Sequence, residues 1–242
     1  MDMKIVAVEN YEEMSKKCAD IMAETIKKNP HATLGLMTGA TVSGIYKKLI
    51  EKNKNKEISF KDVRTINLDE YVGLNKNNRH SCGYFMNTEL FYRVDINGGN
   101  IIFLRGISED MHAECKRYDE LLDKYPRDIQ LLEIGNDGSI GFNDPGTPFG
   151  IRTHIAELSI SVIFNKALLF GKIEDVPVRA ITVGIPDIMK AKSILLIANG
   201  TNKAEALRAM IKGEINENCP ASILQKHINV TVIADREALS LL

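Results

Sequence analysis

Four carboxylates stand where they can move protons. Asp69 and Glu70 follow an apolar run directly, and Asp137 and Asp144 lie in a glycine-rich turn, residues 135–145, that also holds Ser139. Carboxylates in such positions act as general acids or bases. Two small-residue turns suit a different task. Thr38-Gly39-Ala40-Thr41 and Gly200-Thr201-Asn202-Lys203 each separate an apolar run from a stretch of helical periodicity. A turn of that kind offers free backbone N–H groups and the positive end of a helix dipole to an anion, and Lys203 adds a cation. Taken singly, each feature has a plainer reading. The first turn also fits a tight connection that binds nothing, Asp69-Glu70 fits a helix cap, and Lys203 fits a surface lysine. Together they suit proton transfer on a small phosphorylated polar molecule.

The elements that must position these residues alternate along the chain. Residues 4–8 read as a strand. Asn10 with Glu13 resembles a capping box, and Met14, Cys18, Ile21, Met22 and Ile26 then recur at helical spacing. Residues 33–37 read as a second strand, followed by a helix face at Val42, Ile45, Tyr46, Leu49 and Ile50. Lys52 to Lys56 alternates lysine with asparagine and reads as a solvated loop. Further strands are expected at 63–68, 101–104, 129–134, 180–183, 193–197 and 230–234. Helices are expected around Tyr84 to Phe91, over Met111 to Leu122, and over Leu207 to Ile211, the last opened by a second capping box at Asn202 and Glu205. Residues 75–81, 145–152 and 219–222 read as loop or turn, and 185–189 as a turn or short helix. Residues 155–173 lack clean periodicity and read as a mobile helical segment.

This alternation predicts an α/β fold: a single doubly wound, mostly parallel sheet with helices on both faces. No internal repeat, low-complexity tract or Gly/Ser linker divides the 242 residues, so residues 1–242 are expected to form one domain. The net charge of −1 supplies no global field for nucleic acid or an anionic membrane, and neither is expected as a partner. The four cysteines, Cys18, Cys82, Cys115 and Cys219, form no C-x-x-C pair and read as small buried hydrophobes in a reducing cytosol. The first ten residues carry no signal-peptide core, and no apolar run approaches the ~20 residues of a membrane span. A cytoplasmic location is therefore expected. No G-x-G-x-x-G follows the first strand, which argues against a dinucleotide cofactor.

Asn67-Leu68-Asp69-Glu70-Tyr71-Val72-Gly73-Leu74 and residues 135–145 resemble the glucosamine-6-phosphate deaminase/isomerase family, whose superfamily includes 6-phosphogluconolactonase. The likeness continues through Thr38-Gly39, Arg152-Thr153-His154, Val176-Pro177, residues 180–184, Lys203-Ala204-Glu205-Ala206 and Pro220-Ala221-Ser222, and so covers nearly the whole chain. The D-E-Y-V-G-L run is specific to the deaminase branch. The resemblance implies an enzyme that opens an amino-sugar 6-phosphate ring, shifts the C2 proton to make a ketose, and expels ammonia. It implies no metal or organic cofactor, a small sugar phosphate as partner, and a monomer or a homo-oligomer. Asp69 matches the carboxylate that shuttles the C1/C2 proton, and Asp137 and Asp144 match members of the ring-opening relay. Thr38, Gly39, Thr41 and Lys203 match phosphate-binding positions, and residues 158–176 match a lid. The candidate catalytic residues are Asp69, Asp137, Ser139 and Asp144. The candidate binding residues are Thr38, Gly39, Ala40, Thr41, Glu70, Gly138 and Lys203.

Several positions depart from the family pattern. Ser139 stands where the family has the ring-opening histidine, and a hydroxyl does not titrate near neutrality. Asp144 replaces a glutamate that is one methylene longer, and misplacement by about 1 Å can matter to catalysis. Leu168 stands at a phosphate-binding arginine of the lid; Lys166 and Lys172 nearby lack that planar fork. Glu133 replaces a glycine, which puts a negative charge where it repels phosphate or reshapes sugar recognition. Ala156 replaces a lysine of the allosterically regulated members, and the chain ends early at Leu242, so that allosteric site is not expected. A hexosamine-6-phosphate deaminase/isomerase is thus the leading expectation, with galactosamine 6-phosphate as a further substrate to consider. A catalytically impaired sugar-phosphate binder or regulator is the alternative, and a 6-phosphogluconolactonase-like hydrolase comes third.

Overall fold

Short runs rich in leucine, isoleucine and valine build the centre of the molecule. The computed structural model describes residues 3–242, apart from the side chains of Ser161 and Asn165. The N-terminal reading also extended over Met1 and Asp2, which lie outside the described residues. The described residues form ten strands: β1 (Lys4–Val8), β2 (Thr33–Leu36), β3 (Arg64–Asn67), β4 (Asp69–Tyr71), β5 (Ile101–Ile102), β6 (Ile129–Glu133), β7 (His154–Glu157), β8 (Arg179–Thr182), β9 (Ile194–Ala198) and β10 (Val230–Asp235). Seven of them form one sheet in the order β1-β10-β9-β6-β2-β3-β5, with every neighbouring pair parallel. β9 is buried at every position and β6 at all but its last, as a parallel sheet covered on both faces requires.

The helices are α1 (Tyr11–Lys28), α2 (Ala40–Lys54), α3 (Cys82–Glu89), α4 (Met111–Lys124), α5 (Ile160–Phe170), α6 (Ile185–Ile188) and α7 (Ala204–Lys212). Asn10 caps α1 by accepting from the Glu13 N–H at 3.0 Å, while the Glu13 carboxylate accepts from the Glu9 N–H at 2.9 Å. The buried stripe Met14, Cys18, Met22 and Ile26 faces the core, and α1 packs on α2. Among the described residues no helix is long and apolar enough to cross a membrane. All four cysteines are buried free thiols.

Strand order dictates where a ligand can sit. From β2 the chain runs outward through β3 to β5, then returns to β6 on the other side of β2 and continues to β9 and β10. The winding reverses between β2 and β6. At such a switch point the loops leaving the carboxyl ends of the two strands diverge and open a crevice.

Four sequence expectations change. Residues 180–183 do not join the main sheet: β8 pairs antiparallel with β4 and β7 in a separate three-stranded sheet. A short apolar run reads alike in either setting. Leu68 joins the two sheets, its N–H bonding to Leu36 O at 2.8 Å and its carbonyl accepting from the Val183 N–H at 2.9 Å. Residues 52–54 continue α2 rather than looping, because Lys52 pairs with Asp20 at 2.7 Å and the Asn53 amide donates to Ile58 O and Asp95. Residues 155–173 divide into β7 and α5, with Ser159 as the helix N-cap. Asn202 does not cap α7; its amide donates to Asn136 Oδ1 at 3.1 Å, and a 3-10 turn precedes the helix.

One ionic cluster ties the small sheet to α4. Asp187 of α6, fully buried, accepts from Arg152 Nη2 at 2.6 Å and from Lys190 Nζ at 3.0 Å. Both cations also reach Asp123, at 3.0 and 2.7 Å. Asp187 is fully buried and holds charge-assisted bonds from both cations, whereas Asp123 is half-exposed. Asp187→Ala is expected to lower unfolding free energy by about 1.5–3 kcal/mol, and Asp123→Ala by less than about 1 kcal/mol. Urea denaturation curves of the two variants check the difference.

Candidate active site

The four strand ends that the sequence singled out are the carboxyl-terminal exits of β2, β3, β6 and β9. Between them lies a cavity of about 540 Å³. Thr38, Asp69, Asp137, Ser139, Asp144 and Lys203 all line it, together with Tyr71, Cys82, Glu133 and Lys166. Gly39, Ala40, Thr41, Glu70 and Gly138 do not. Gly39 takes a φ of +142° at the start of α2, a backbone that favours glycine. Gly138 has a φ of +86°, and a Cβ there would meet Cys219 Sγ at 2.7 Å, so its part is to shape the turn. A larger cavity of about 610 Å³ opens along β5, lined by Arg64, Lys76, Arg105 and Arg117 and by no carboxylate. It lacks a base.

Asp69 and Glu70 are adjacent on β4 and take opposite directions, as successive strand residues do. Glu70 turns from the cavity and accepts from the N–H groups of Tyr71 (2.8 Å), Cys82 (2.9 Å) and Gly83 (2.8 Å). It anchors the first turn of α3, where a carboxylate also meets the positive end of the helix dipole. The expected binding residue thus occupies a structural position. Asp69 faces the cavity and accepts from Cys82 Sγ at 3.5 Å, and Cys82 accepts in turn from Thr38 Oγ1 at 3.3 Å. Burial pushes the Asp69 carboxyl up to about 6, while the Cys82 bond and the Lys166 charge pull it down. Burial likewise pushes Glu70 up to about 7 against its three amide bonds.

The glycine-rich turn after β6 carries the second acidic group. Ser139 donates to Asp137 Oδ1 through both its N–H (3.1 Å) and its hydroxyl (2.7 Å). Burial, and then the nearby Asp137 charge, raise the pKa of Asp144. Among the described residues no histidine lines the cavity. Of the groups there, Asp69 is the one whose carboxyl burial brings toward neutrality, and Ser139 can pass a proton along hydrogen bonds without holding charge.

The cationic side holds an arrangement that spacing could not show. Lys203 Nζ donates to Ile134 O at 2.7 Å and lies 3.3 Å from Glu133 Oε1; Thr41 Oγ1 donates to the same carboxylate oxygen at 3.1 Å. Above the cavity, Val162 and Lys166 of α5 face inward. Val162, Ile163, Ala167 and Phe170 pack with Tyr71 and Phe142, and the Tyr71 ring lies 5.8 Å from both Phe142 and Phe170. Leu168 is 96% exposed on the outer face, so its position presents nothing to the cavity. Of the two lysines near it, Lys166 lines the site and Lys172 does not. Sequence reading missed Cys82, whose place beside Asp69 follows only from the Glu70 anchor on α3, and Tyr71.

Comparison with known proteins gives one consistent result. Residues 7–233 match the family described as glucosamine-6-phosphate isomerases/6-phosphogluconolactonase. The chain is 46% identical to the glucosamine-6-phosphate deaminase of a Geobacillus species, over 99% of this chain and 96% of that protein. It is 44% identical to glucosamine-6-phosphate deaminase 1 of Bacillus subtilis, over 99% of each chain. Its fold superposes with a TM-score of 0.96 on a solved monomeric glucosamine-6-phosphate deaminase, at 43% identity and covering 99% of this chain and 100% of that one. A 6-phosphogluconolactonase from Trypanosoma brucei shares the fold, with a TM-score of 0.80 at 16% identity over 100% of this chain and 99% of that one.

Asp69→Asn and Glu70→Ala are expected to change stability in opposite directions. Asp69 has a folded-state pKa of about 6, against about 3.9 when unfolded. The native state therefore holds the extra proton between those values, and stability is lost as pH rises from about 4 to 6. Asp69→Asn removes that cost and is expected to raise the melting temperature at pH 8, with the gain shrinking below pH 5. Glu70→Ala leaves three buried N–H groups unpaired and is expected to lower stability by about 2–3 kcal/mol. Melting curves at pH 5 and pH 8 distinguish the two.

Proposed function

The chain belongs to the glucosamine-6-phosphate isomerase/6-phosphogluconolactonase family, and from that premise we propose that it is a glucosamine-6-phosphate deaminase. The reaction converts glucosamine 6-phosphate and water into fructose 6-phosphate and ammonia. The observation that carries this reading is Asp69: a buried carboxylate facing the cavity, with a pKa raised by burial to about 6. A base so poised is ionised at neutral pH yet readily protonated, which suits it to take a proton and return it.

In this reading the Asp137–Ser139–Asp144 side of the cavity serves ring opening. The raised pKa of Asp144 suits it to carry a proton to the ring oxygen, while the C1 hydroxyl gives up its own and C1 becomes an aldehyde. Asp69 then removes the proton from C2, and the electron pair forms a C1–C2 double bond while the aldehyde oxygen gains a proton. Return of the Asp69 proton to C1 leaves a C2 imine. Water adds to C2, the C2–N bond breaks with its electrons going to nitrogen, and ammonia leaves a ketone behind. Every step is proton transfer, hydration or elimination, so the reading invokes no cofactor.

The names of the relatives support the gluco sugar over its C4 epimer, galactosamine 6-phosphate. Free buried thiols and a phosphorylated substrate fit a cytoplasmic enzyme, and the monomeric state named for the solved relative favours a monomer here. Residues 158–176 are read as the lid, with Lys166 as its cation.

Ammonia release from glucosamine 6-phosphate, measured beside galactosamine 6-phosphate, tests the reading. Turnover is expected with the gluco sugar preferred. Asp69→Asn is expected to lower kcat by about 10²–10⁴, and Ser139→His to raise it. No ammonia from either sugar, in the native chain or in Ser139→His, contradicts the assignment.

A further inference from the structure

Glu133 ends β6 at the switch point, and its side chain reaches toward the start of α2 rather than into solvent. One carboxylate oxygen accepts from Thr41 Oγ1 at 3.1 Å and pairs with Lys203 Nζ at 3.3 Å. The other lies 4.0 Å from the point where a Cβ on Gly39 would be. Gly39, Thr41 and Lys203 are the residues whose chemistry suits a phosphate: an uncapped helix start, a hydroxyl and an ammonium. A carboxylate of the chain itself stands among them.

The charge around the cavity sharpens the consequence. Asp69, Glu133, Asp137 and Asp144 line it against Lys166 and Lys203, four carboxylates to two cations. A protonated amine at C2 of the sugar is welcome in such a field. A dianionic group at C6 is not, because it must displace Glu133 from Lys203 or lie beside it, and like charges at contact distance repel strongly away from bulk water. A neutral 6-hydroxyl meets neither obstacle and can donate to the Glu133 carboxylate.

We propose that Glu133 is the residue that sets which 6-substituent this pocket accepts: it competes with the sugar's phosphate for Lys203 in the cavity and for Thr41 directly behind Glu133, and so narrows the preference for phosphorylated over unphosphorylated amino sugar. This rests on the deaminase reading for the identity of the sugar, though not for the competition itself. Glu133 touches the binding groups and takes no proton in the reaction. Its signature is therefore a change in KM and in anion affinity larger than any change in kcat.

The test uses the full chain, Glu133→Gln and Glu133→Gly. Glutamine keeps the volume and removes the charge; glycine also clears the space. Calorimetric titration with inorganic phosphate and with fructose 6-phosphate reads the competition directly. Ammonia release from glucosamine 6-phosphate and from glucosamine reads its effect on selectivity. Both variants are expected to bind inorganic phosphate about tenfold tighter or more, the factor that removing one unfavourable charge contact brings. KM for glucosamine 6-phosphate is expected to fall by a similar factor. The ratio of kcat/KM for glucosamine 6-phosphate to that for glucosamine is expected to widen. Unchanged or weaker phosphate binding in folded Glu133→Gln overturns the proposal, since it would make Glu133 a scaffold for Lys203 rather than its competitor. If no variant releases ammonia from glucosamine 6-phosphate, the deaminase reading fails instead, and the phosphate titrations still decide the role of Glu133.

Discussion

The burial of two consecutive carboxylates where the chain leaves one sheet for another organises the site. At Leu68 the backbone bonds to β2 on one side and to β8 on the other, so the residues that follow are held between the two sheets. Alternation sends Glu70 to the start of α3 and Asp69 to the cavity. The three amides that meet Glu70 fix α3, and α3 brings Cys82 to Asp69. One acid is thus consumed in placing a donor of the other. Asp69 is left with little more than a thiol for company, and burial sets its proton affinity. A better-satisfied aspartate at this place would hold its charge too firmly to return a proton at neutral pH.

The remaining groups depend on strand order. Because the winding reverses between β2 and β6, the helix start after β2 and the glycine-rich turn after β6 diverge and leave room between them. The chain leaving β3 adds Asp69, at the start of β4, on one side of that gap and the turn after β9 adds Lys203 on the other. The same geometry puts the last residue of β6, Glu133, within reach of α2. A side chain at a strand end therefore bears on sugar recognition without lying in any motif of the loops.

Much of this was legible in the sequence. Residues 4–8 and 129–134 gave their strands within one residue, since uninterrupted apolar runs bounded by polar turns have few other uses. The four strand-end turns were recognisable because small residues, acids and a lysine in those places have little to do with core packing. What remained hidden depended on partners far away in the chain. The run at 180–183 does not reveal which sheet it joins. Asp69 and Glu70 look equivalent until β4 is known to begin at Asp69 and to pair with β8, which fixes their faces. Cys82 reads as one more buried thiol until α3 is seen to start on Glu70. Glu133 is visibly a charge at a strand end, but its contact with Thr41 spans 92 positions and its pairing with Lys203 spans 70. Asn202 matched a capping pattern and instead found a partner, Asn136, on the turn that leaves the neighbouring strand β6.

If Asp69 is the base and burial sets its pKa, the pH dependence of kcat/KM for ammonia release should show it most directly. The acid limb is expected near pH 6 in the native chain. The substrate's phosphate also titrates at about 6, so the decisive comparison is with Cys82→Ala, measured on the same substrate. Loss of the thiol bond removes a contact that favours the ionised carboxylate, and the acid limb should move to higher pH while the substrate's ionisation stays common to both. A limb that stays in place when the thiol is removed, or one near the ordinary carboxylate value of about 4, would contradict Asp69 as a burial-tuned base.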